Sequence, residues 1–503
     1  MSPKATRRVA LVLLMVTIAF RLWAVPFARF TGDESDYWYK SRQVAVGAYR
    51  PVYGPEITGS AARLPGPAYY YLMAVPQTLG ASPYLGSAFV VVLHGLAAWL
   101  LFLLTSAARS PRAGLLALAL VAFAPWDVLY ADRIWGSCVV PVWGALAVFA
   151  AAKSRERPAW MGLMVFLALV LPQLHLSVPV LWATCIILLG MNPPSRWPWR
   201  WIALGTGLAV LAYLPPLIAE LNSNFSNTRA ILTHGGGRAS WRIAATAPLK
   251  VFGYAWLYAT SEIGYHWARG YWGGGFSEAA AYFSQKGLRH WWGQHGTGLA
   301  LAHLTSIAVA GLGWGTAIAR MIRYFRSRRA RDPHSVTRAE AAMTTALFGG
   351  LVVASTLLLL ARKTYFPHYA NILMPMFLMP VAIGLDVWLD RARAKWVVAI
   401  AIATSMGAMA LGTIRYYRQV DALNGLGPTL SMVAQVADDE PAARIRFTYF
   451  NNSYAWRRLA QAVYNTDLPG RRADVQYTVH NRTAFTGNRP TGGTLHGPTL
   501  LVR

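Results

Sequence analysis

Apolar residues fall into long runs separated by short polar gaps, and the lengths of the runs are the first guide to the fold. A bilayer crossing needs about 20 mostly apolar residues in a helix. The first run, residues 9–29 (VALVLLMVTIAFRLWAVPFAR), meets that length. Further runs lie at about 85–107, 113–132, 134–152, 159–173, 176–190, 201–219, 297–320, 341–361, 369–389 and 396–414, which predicts about eleven spans, two of them short enough to tilt or merge. Residues 30–66 read as a polar and aromatic loop, and 67–80 (PAYYYLMAVPQTLG) as an interfacial or re-entrant piece too short to cross. Residues 220–296, rich in Gly, Trp and Tyr, read as a long outer segment with short helices over the site. After Arg415 the pattern changes: RIRFTYF (444–450), DVQYTVH and TLLVR alternate as strands do, and YAWRRLAQAVY (454–464) reads as a helix. The prediction is an all-α polytopic membrane protein, residues 1–414, with outer loops at 30–84 and 220–296, followed by a small α/β domain at 415–503.

Charge fixes a topology on this pattern. The chain holds 47 Lys and Arg against 20 Asp and Glu, a formal net charge of +27, with 55% hydrophobic residues and a mean hydropathy of +0.33. In a soluble domain such a charge would suggest nucleic acid. Here the cations sit in the gaps between runs, where the positive-inside rule expects them, and no nucleic-acid partner is implied. Lys4, Arg7 and Arg8 precede the first run, which lacks a small-x-small cleavage site and reads as a retained helix with a cytoplasmic N-terminus. Alternating sides from there, Arg109 with Arg112, then Lys153, Arg155 and Arg157, then Arg196 with Arg200, all land inside. So do RYFRSRRARDPHSVTR and the later Arg391, Arg393 and Lys395, which leaves the tail outside. Many of the 21 Trp and 24 Tyr residues flank the runs, as interfacial belts do. Cys138 and Cys185 lie within apolar runs and read as packing residues.

Acidic residues are scarce, so three within four positions at Asp33, Glu34 and Asp36 require a reason. Just outside the first span, Asp33 or Glu34 can accept a proton from a hydroxyl while staying near water. The alternative is that they cap a helix beginning near Asp36. The stretch from Arg50 to Tyr71 brings Glu56 and Arg63 into a Gly- and Pro-rich loop, where Arg63 is a candidate phosphate clamp or part of an ordinary interfacial loop. Asp132 and Arg133 in ADRIWG line a cavity or satisfy one another as an ion pair. His175, in the turn Pro172-Gln173-Leu174-His175, is structural or a ligand. Arg362 and Lys363, followed by His368 and Tyr369, break the charge rule on the outer side and suggest a lipid-linked phosphate there. Span centres read as largely apolar, which favours chemistry at the outer surface over passage through the membrane. No P-loop, dinucleotide fingerprint or Cys/His zinc spacing is present, so a donor has to come from the membrane.

Four features together resemble the membrane glycosyltransferases of the GT-C fold, in particular the PMT/aminoarabinose-transferase-like group (family 39, RgtA/B/C/D-like). They are the Asp33-Glu34 pair after the first helix, RLPGPAYYY, the Gln173-Leu174-His175 turn, and PHYANILMPMFLMPVAIGLDVW. The resemblance covers most of the membrane part and not the tail. It implies a polyprenyl-phosphate-linked sugar donor, an outer-face site and a first-loop carboxylate as base, here Asp33 with Glu34 as its partner. It also makes Arg63, Arg362, Lys363, His368 and Tyr369 candidates for the donor phosphate, and it leaves Asp36 as a helix-start residue. Family members commonly carry His-Pro-Pro-like residues where this chain has Arg63-Leu64-Pro65-Gly66-Pro67, so donor contacts there differ. The expected reaction is inverting transfer of a sugar to a hydroxyl of a lipid, glycan or protein, with a divalent metal as the one cofactor left open. A polymerase or ligase using lipid-linked glycan, and a non-enzymatic lipid-glycan transporter or flippase, are the alternatives; the latter would carry inverted repeats and broken mid-span helices.

Overall fold

The computed structural model describes residues 2–28, 30, 32–57, 61–80, 82–233, 240–260, 289, 292–293, 296–327, 336–362 and 367–420, and four strands in the tail. Among them eight helices are long and apolar enough to cross a membrane: Pro3–Phe27, Pro83–Ala108, Gly136–Lys153, Trp199–Asn222, Thr297–Ser327, Arg338–Leu360, Asn371–Leu389 and Lys395–Arg415. A ninth arises if Pro111–Phe123 and Pro125–Ala131, bent by 63° at their junction, form one broken span. Ala159–Gln173 and Val178–Met191 are shorter apolar helices and occupy the two short runs. By length and composition the described residues hold eight such spans, or nine with the bent pair, beside the two shorter apolar helices. The chain is a multi-pass, mostly helical membrane protein.

Local chemistry explains where these helices start and stop. Ser110 accepts a hydrogen bond from the Ala113 amide at 3.1 Å, with Pro111 at the first helical position. Thr337 accepts from the Glu340 amide at 3.1 Å, the spacing of a capping box. Pro125 has no amide to continue the preceding helix, and Ala124 before it is extended at ψ 115°. That proline sets the bend.

The bundle packs through small residues. A Cβ on Gly384 would lie 2.1 Å from the Gly313 carbonyl oxygen, and one on Gly205 would lie 2.2 Å from the Gly162 carbonyl oxygen. Such backbone-to-backbone approach is how helices associate where lipid is as apolar as leucine. Asn371–Leu389 is the most enclosed span, 83% buried, and Trp199–Asn222 the least, 17% buried, so the first lies at the centre and the second at the rim.

The two ends of the bundle differ in charge. At one end Arg109 Nε meets Asp386 Oδ2 at 3.0 Å, Arg112 reaches Asp386 and Asp390 at 2.6 Å each, and Glu340 pairs with Arg320. These are the gaps expected inside. At the opposite end lie Glu34, Arg133, Asp132, His175 and His368, drawn from different interspan segments and joined by the contacts described below.

One expectation needs correction. The helix after the first span begins at Gly32 and runs to Ala45, so Asp33 and Glu34 occupy its first turn and Asp36 is not its start. Residues 220–260 include Ala247–Tyr258, whose Val251, Tyr254 and Tyr258 are buried in the core, so this helix packs into the bundle. Within the largely apolar bundle, Arg21, His94 and Asp127 are buried. In the tail, β1 (Ile445–Thr448) pairs in parallel with β2 (Val475–Asn481), β2 pairs antiparallel with β4 (Thr499–Val502), and β4 pairs antiparallel with β3 (Gly493–His496). β1, β2 and β4 fall on the expected strand-like pieces, β3 lies outside those pieces, and the helix expected at 454–464 lies outside the described residues.

Candidate active site

The helix Gly32–Ala45 divides its acids by face. Successive residues turn about 100° on a helix, so Asp33 is exposed while Glu34 is fully buried. Both lie in the first turn, where unpaired amides and the helix dipole favour carboxylates. Asp36 Oδ2 pairs with Lys40 Nζ at 2.6 Å, an i,i+4 contact along the same helix. The helix is seated on Ala68–Gln77: Arg42 donates to the Gln77 carbonyl at 2.9 Å, Gln77 donates to the Trp38 carbonyl at 2.8 Å, and the Tyr37 and Tyr69 rings meet edge to face at 5.2 Å. Burial, with the Asp33 charge next, holds the Tyr37 hydroxyl well above the usual phenol range. Asp33 therefore lies one helical turn from a protonated phenol.

Glu34 is joined to Arg133, and both side chains are almost wholly excluded from solvent. A buried pair of this kind leaves an uncompensated charge if one member is removed. Asp132 is also buried and accepts from the Tyr417 hydroxyl at 2.7 Å, while its Oδ1 finds no hydrogen-bond partner among the described residues. Asp132 and Arg133 thus serve different partners. Burial pushes the Asp132 carboxyl up to about 7, against the opposing influence of Tyr417 and Arg133.

Trp135 extends the group. Arg133 lies over its ring at 5.1 Å, and the His368 ring approaches it at 4.6 Å. His368 in turn lies 4.6 Å from Tyr369 and 6.0 Å from His175. Both histidines keep some accessible surface, yet protein encloses them closely. Burial pushes His175 down to about 4 and, with His175 and Arg133 adding to it, holds His368 well below the usual imidazole range. At neutral pH these rings are uncharged hydrogen-bonding groups.

The loop carrying Glu56 and Arg63 approaches the same region. Arg63 reaches Glu56 Oε1 at 3.2 Å in an exposed pair, and their backbones form an isolated antiparallel bridge. Asn227 clasps the Arg63 backbone on both sides, accepting from its amide at 2.7 Å and donating to its carbonyl at 3.1 Å. Gly66 packs against Gln173: a Cβ there would lie 2.3 Å from the Gln173 side chain, which would have to shift. Thus RLPGP and the Gln173-Leu174-His175 turn, distant in sequence, are neighbours. Arg362 lies over the Trp241 ring at 5.0 Å with a left-handed φ of 52°. Lys363 lies outside the described residues.

The structure therefore brings Glu34, Arg133, His175, His368 and Tyr369 into one connected group with Asp132 beside it, and places Asp33 at its exposed edge. It puts Glu56 and Arg63 on the neighbouring loop and Arg362 against Trp241. Among the described residues, no three His, Cys, Asp or Glu side chains cluster in a way that could hold a metal ion. Trp135, Tyr417 and Asn227 are not legible in the sequence as participants, because their partners come from distant segments. Arg21, His94 and Asp127 do carry a signal, since an ionisable residue inside an apolar run marks a functional or structural polar contact by default.

The sequence matches no family model, and no curated protein matches it. Comparison with solved structures does find likenesses. A crystal structure of ArnT from Cupriavidus metallidurans bound to undecaprenyl phosphate has a TM-score of 0.54 at 13% identity, covering 98% of this chain and 97% of that one. ArnT from the same organism in the apo state has a TM-score of 0.53 at 12% identity, with the same coverage. The archaeal oligosaccharyltransferase AglB from Archaeoglobus fulgidus, in complex with an inhibitory peptide and a dolichol-phosphate, gives 0.48 at 13% identity, covering 91% of this chain and 63% of that one. The fold of this chain is similar to that of ArnT along nearly its whole length.

Proposed function

We propose that this chain is a glycosyltransferase that moves a sugar from a polyprenyl-phosphate-linked donor to an acceptor hydroxyl on the outer face of the membrane. The observation that carries the reading is the gathering of Asp33, Glu34, Arg133, His175 and His368 from four interspan segments at the less basic end of the bundle. The fold supports the same class, since one of its neighbours was crystallised with undecaprenyl phosphate. The basic loops at the other end support a cytoplasmic N-terminus and an outward-facing site.

Asp33 is the base in this proposal. Its exposed carboxylate takes the proton from the acceptor hydroxyl as that oxygen attacks the anomeric carbon. The bond from that carbon to the phosphate oxygen breaks, the configuration inverts, and polyprenyl phosphate departs with the electron pair. Arg63, Arg362 and Lys363 are the cations available to the departing phosphate. His368 and Tyr369, uncharged, contribute hydrogen bonds to the donor. Glu34 orients the turn that carries Asp33 through its grip on Arg133. Whether a divalent metal assists belongs to the same test series, with and without a chelator.

Mass spectrometry of lipid-linked and surface glycans, compared between cells with and without the intact gene, tests the class. Loss of one sugar from a defined glycan, with its lipid-linked donor accumulating, is the expected result. Unchanged glycans would refute the proposal. A missing long polymer would favour the polymerase or ligase alternative, and lipid-linked glycan trapped on the inner leaflet would favour the flippase alternative.

A further inference from the structure

Three ionisable side chains that the proposed chemistry does not use are buried together inside the bundle: Arg21, His94 and Asp127, each no more than 2% exposed. Arg21 projects from the first span, donates to the Val121 carbonyl at 2.7 Å and the Ala122 carbonyl at 3.2 Å, and pairs with Asp127. Those carbonyls end the helix that stops before Pro125, so Arg21 satisfies backbone groups which the bend leaves open. Asp127 lies on the far side of that bend. Its Oδ1 is 3.3 Å from His94 Nδ1, and His94 Nε2 donates to the Cys138 carbonyl at 2.8 Å.

The network therefore holds the chain at two points, Asp127 and Cys138, and the segment between them carries Asp132, Arg133 and Trp135. Its other end, Arg21, sits on the span that leads directly into Asp33 and Glu34. We infer that Arg21, Asp127 and His94 are positioning residues: they clamp the Asp132–Trp135 segment at both ends and set it in register with the first span, so that Arg133 meets Glu34. Their bearing on catalysis rests on the function proposed above, whereas the clamp itself does not.

Native cysteines supply the test. Cys138 lies at one clamped point and Cys185 on the separate helix Val178–Met191, both buried. The purified full chain, in detergent, is exposed to N-ethylmaleimide and labelling of each cysteine is followed by peptide mass spectrometry. Both are protected in the wild type. In Asp127→Asn and in His94→Leu the rate at Cys138 rises by about tenfold or more, as local opening predicts, while Cys185 stays protected. His94→Gln, which keeps a donor for the Cys138 carbonyl, restores protection and restores sugar transfer relative to His94→Leu. Equal gains at both cysteines, or no gain at either, would overturn the inference. A wild-type chain that transfers no sugar would refute the proposed function and leave the labelling result to decide the clamp.

Discussion

Glu34 and Arg133, 99 positions apart, form a buried ion pair that ties the helix after the first span to the linker after the broken span. In a low-dielectric site such a pair adds little over an apolar equivalent, but losing one member costs about 3–5 kcal/mol. Glu34→Gln or Arg133→Gln alone is therefore expected to lower thermal stability by several degrees in detergent. Glu34→Gln combined with Arg133→Gln should lose less than the sum of the two. A thermal-shift double-mutant cycle measures that coupling, and simple additivity would contradict the pairing.

Asp132 predicts a pH dependence of known sign. Its folded-state carboxyl titrates near 7, above the ordinary carboxylate value of about 3.9. The folded chain therefore holds this proton more tightly than the unfolded one, and the resulting stability is full below about 4 and lost as pH rises through about 7. His175, pushed down to about 4, acts oppositely: its contribution is present above about 6.5 and lost as pH falls toward 4. Melting temperature measured across pH 4–8 should show Asp132→Asn relatively more stable than wild type at pH 8 and relatively less so at pH 4. Parallel curves would contradict the burial of an ionisable Asp132.

Gly313 and Gly384 predict a packing effect remote from the site. Alanine at 384 places a Cβ 2.1 Å from the Gly313 carbonyl oxygen, backbone that cannot rotate away. Gly384→Ala should cost about 1–3 kcal/mol. Gly407→Ala, where nothing lies within 4 Å of the new Cβ, is the matched control and should be neutral or slightly stabilising, read by thermal shift in detergent.

Arg63 separates function from stability. Its pair with Glu56 is exposed, 42% and 61% for the two side chains, so the pair itself adds little to folding. Arg63→Ala should leave melting temperature nearly unchanged and lower transfer by about tenfold or more, the worth of a charge-assisted hydrogen bond to phosphate. Unaltered transfer would remove Arg63 from the donor site. Asn227→Ala should resemble it in part, because the Arg63 backbone loses both of its contacts to that side chain.

Much of this architecture is legible in the amino-acid sequence. The apolar runs locate the helices, and the cations between them mark one end of the bundle, because both signals are set by local solvent and not by partners. The side chains of the site are legible only singly. Asp33, Asp132, Arg133, His175 and His368 stand out as polar residues at run boundaries, yet nothing in their spacing says that Arg133 chooses Glu34 over its neighbour Asp132, or that Tyr417, just beyond the last span on the same helix, meets Asp132. Asp36 illustrates the limit of local rules: Gly32 starts the helix a turn earlier than the pattern Ser-Asp-Tyr-Trp suggests, which moves Asp33 onto the exposed face and Glu34 onto the buried one. Trp135 and Asn227 look ordinary in sequence because their roles consist entirely of long-range contacts.

The central claim is that Asp33 takes the acceptor proton during sugar transfer. Glycan mass spectrometry of cells carrying Asp33→Asn, with protein in the membrane at wild-type levels, tests it most directly. The account predicts loss of the sugar decoration with transfer reduced by about 10²–10⁴-fold, the contribution of a positioned general base. Full decoration and unimpaired transfer by Asp33→Asn would contradict it.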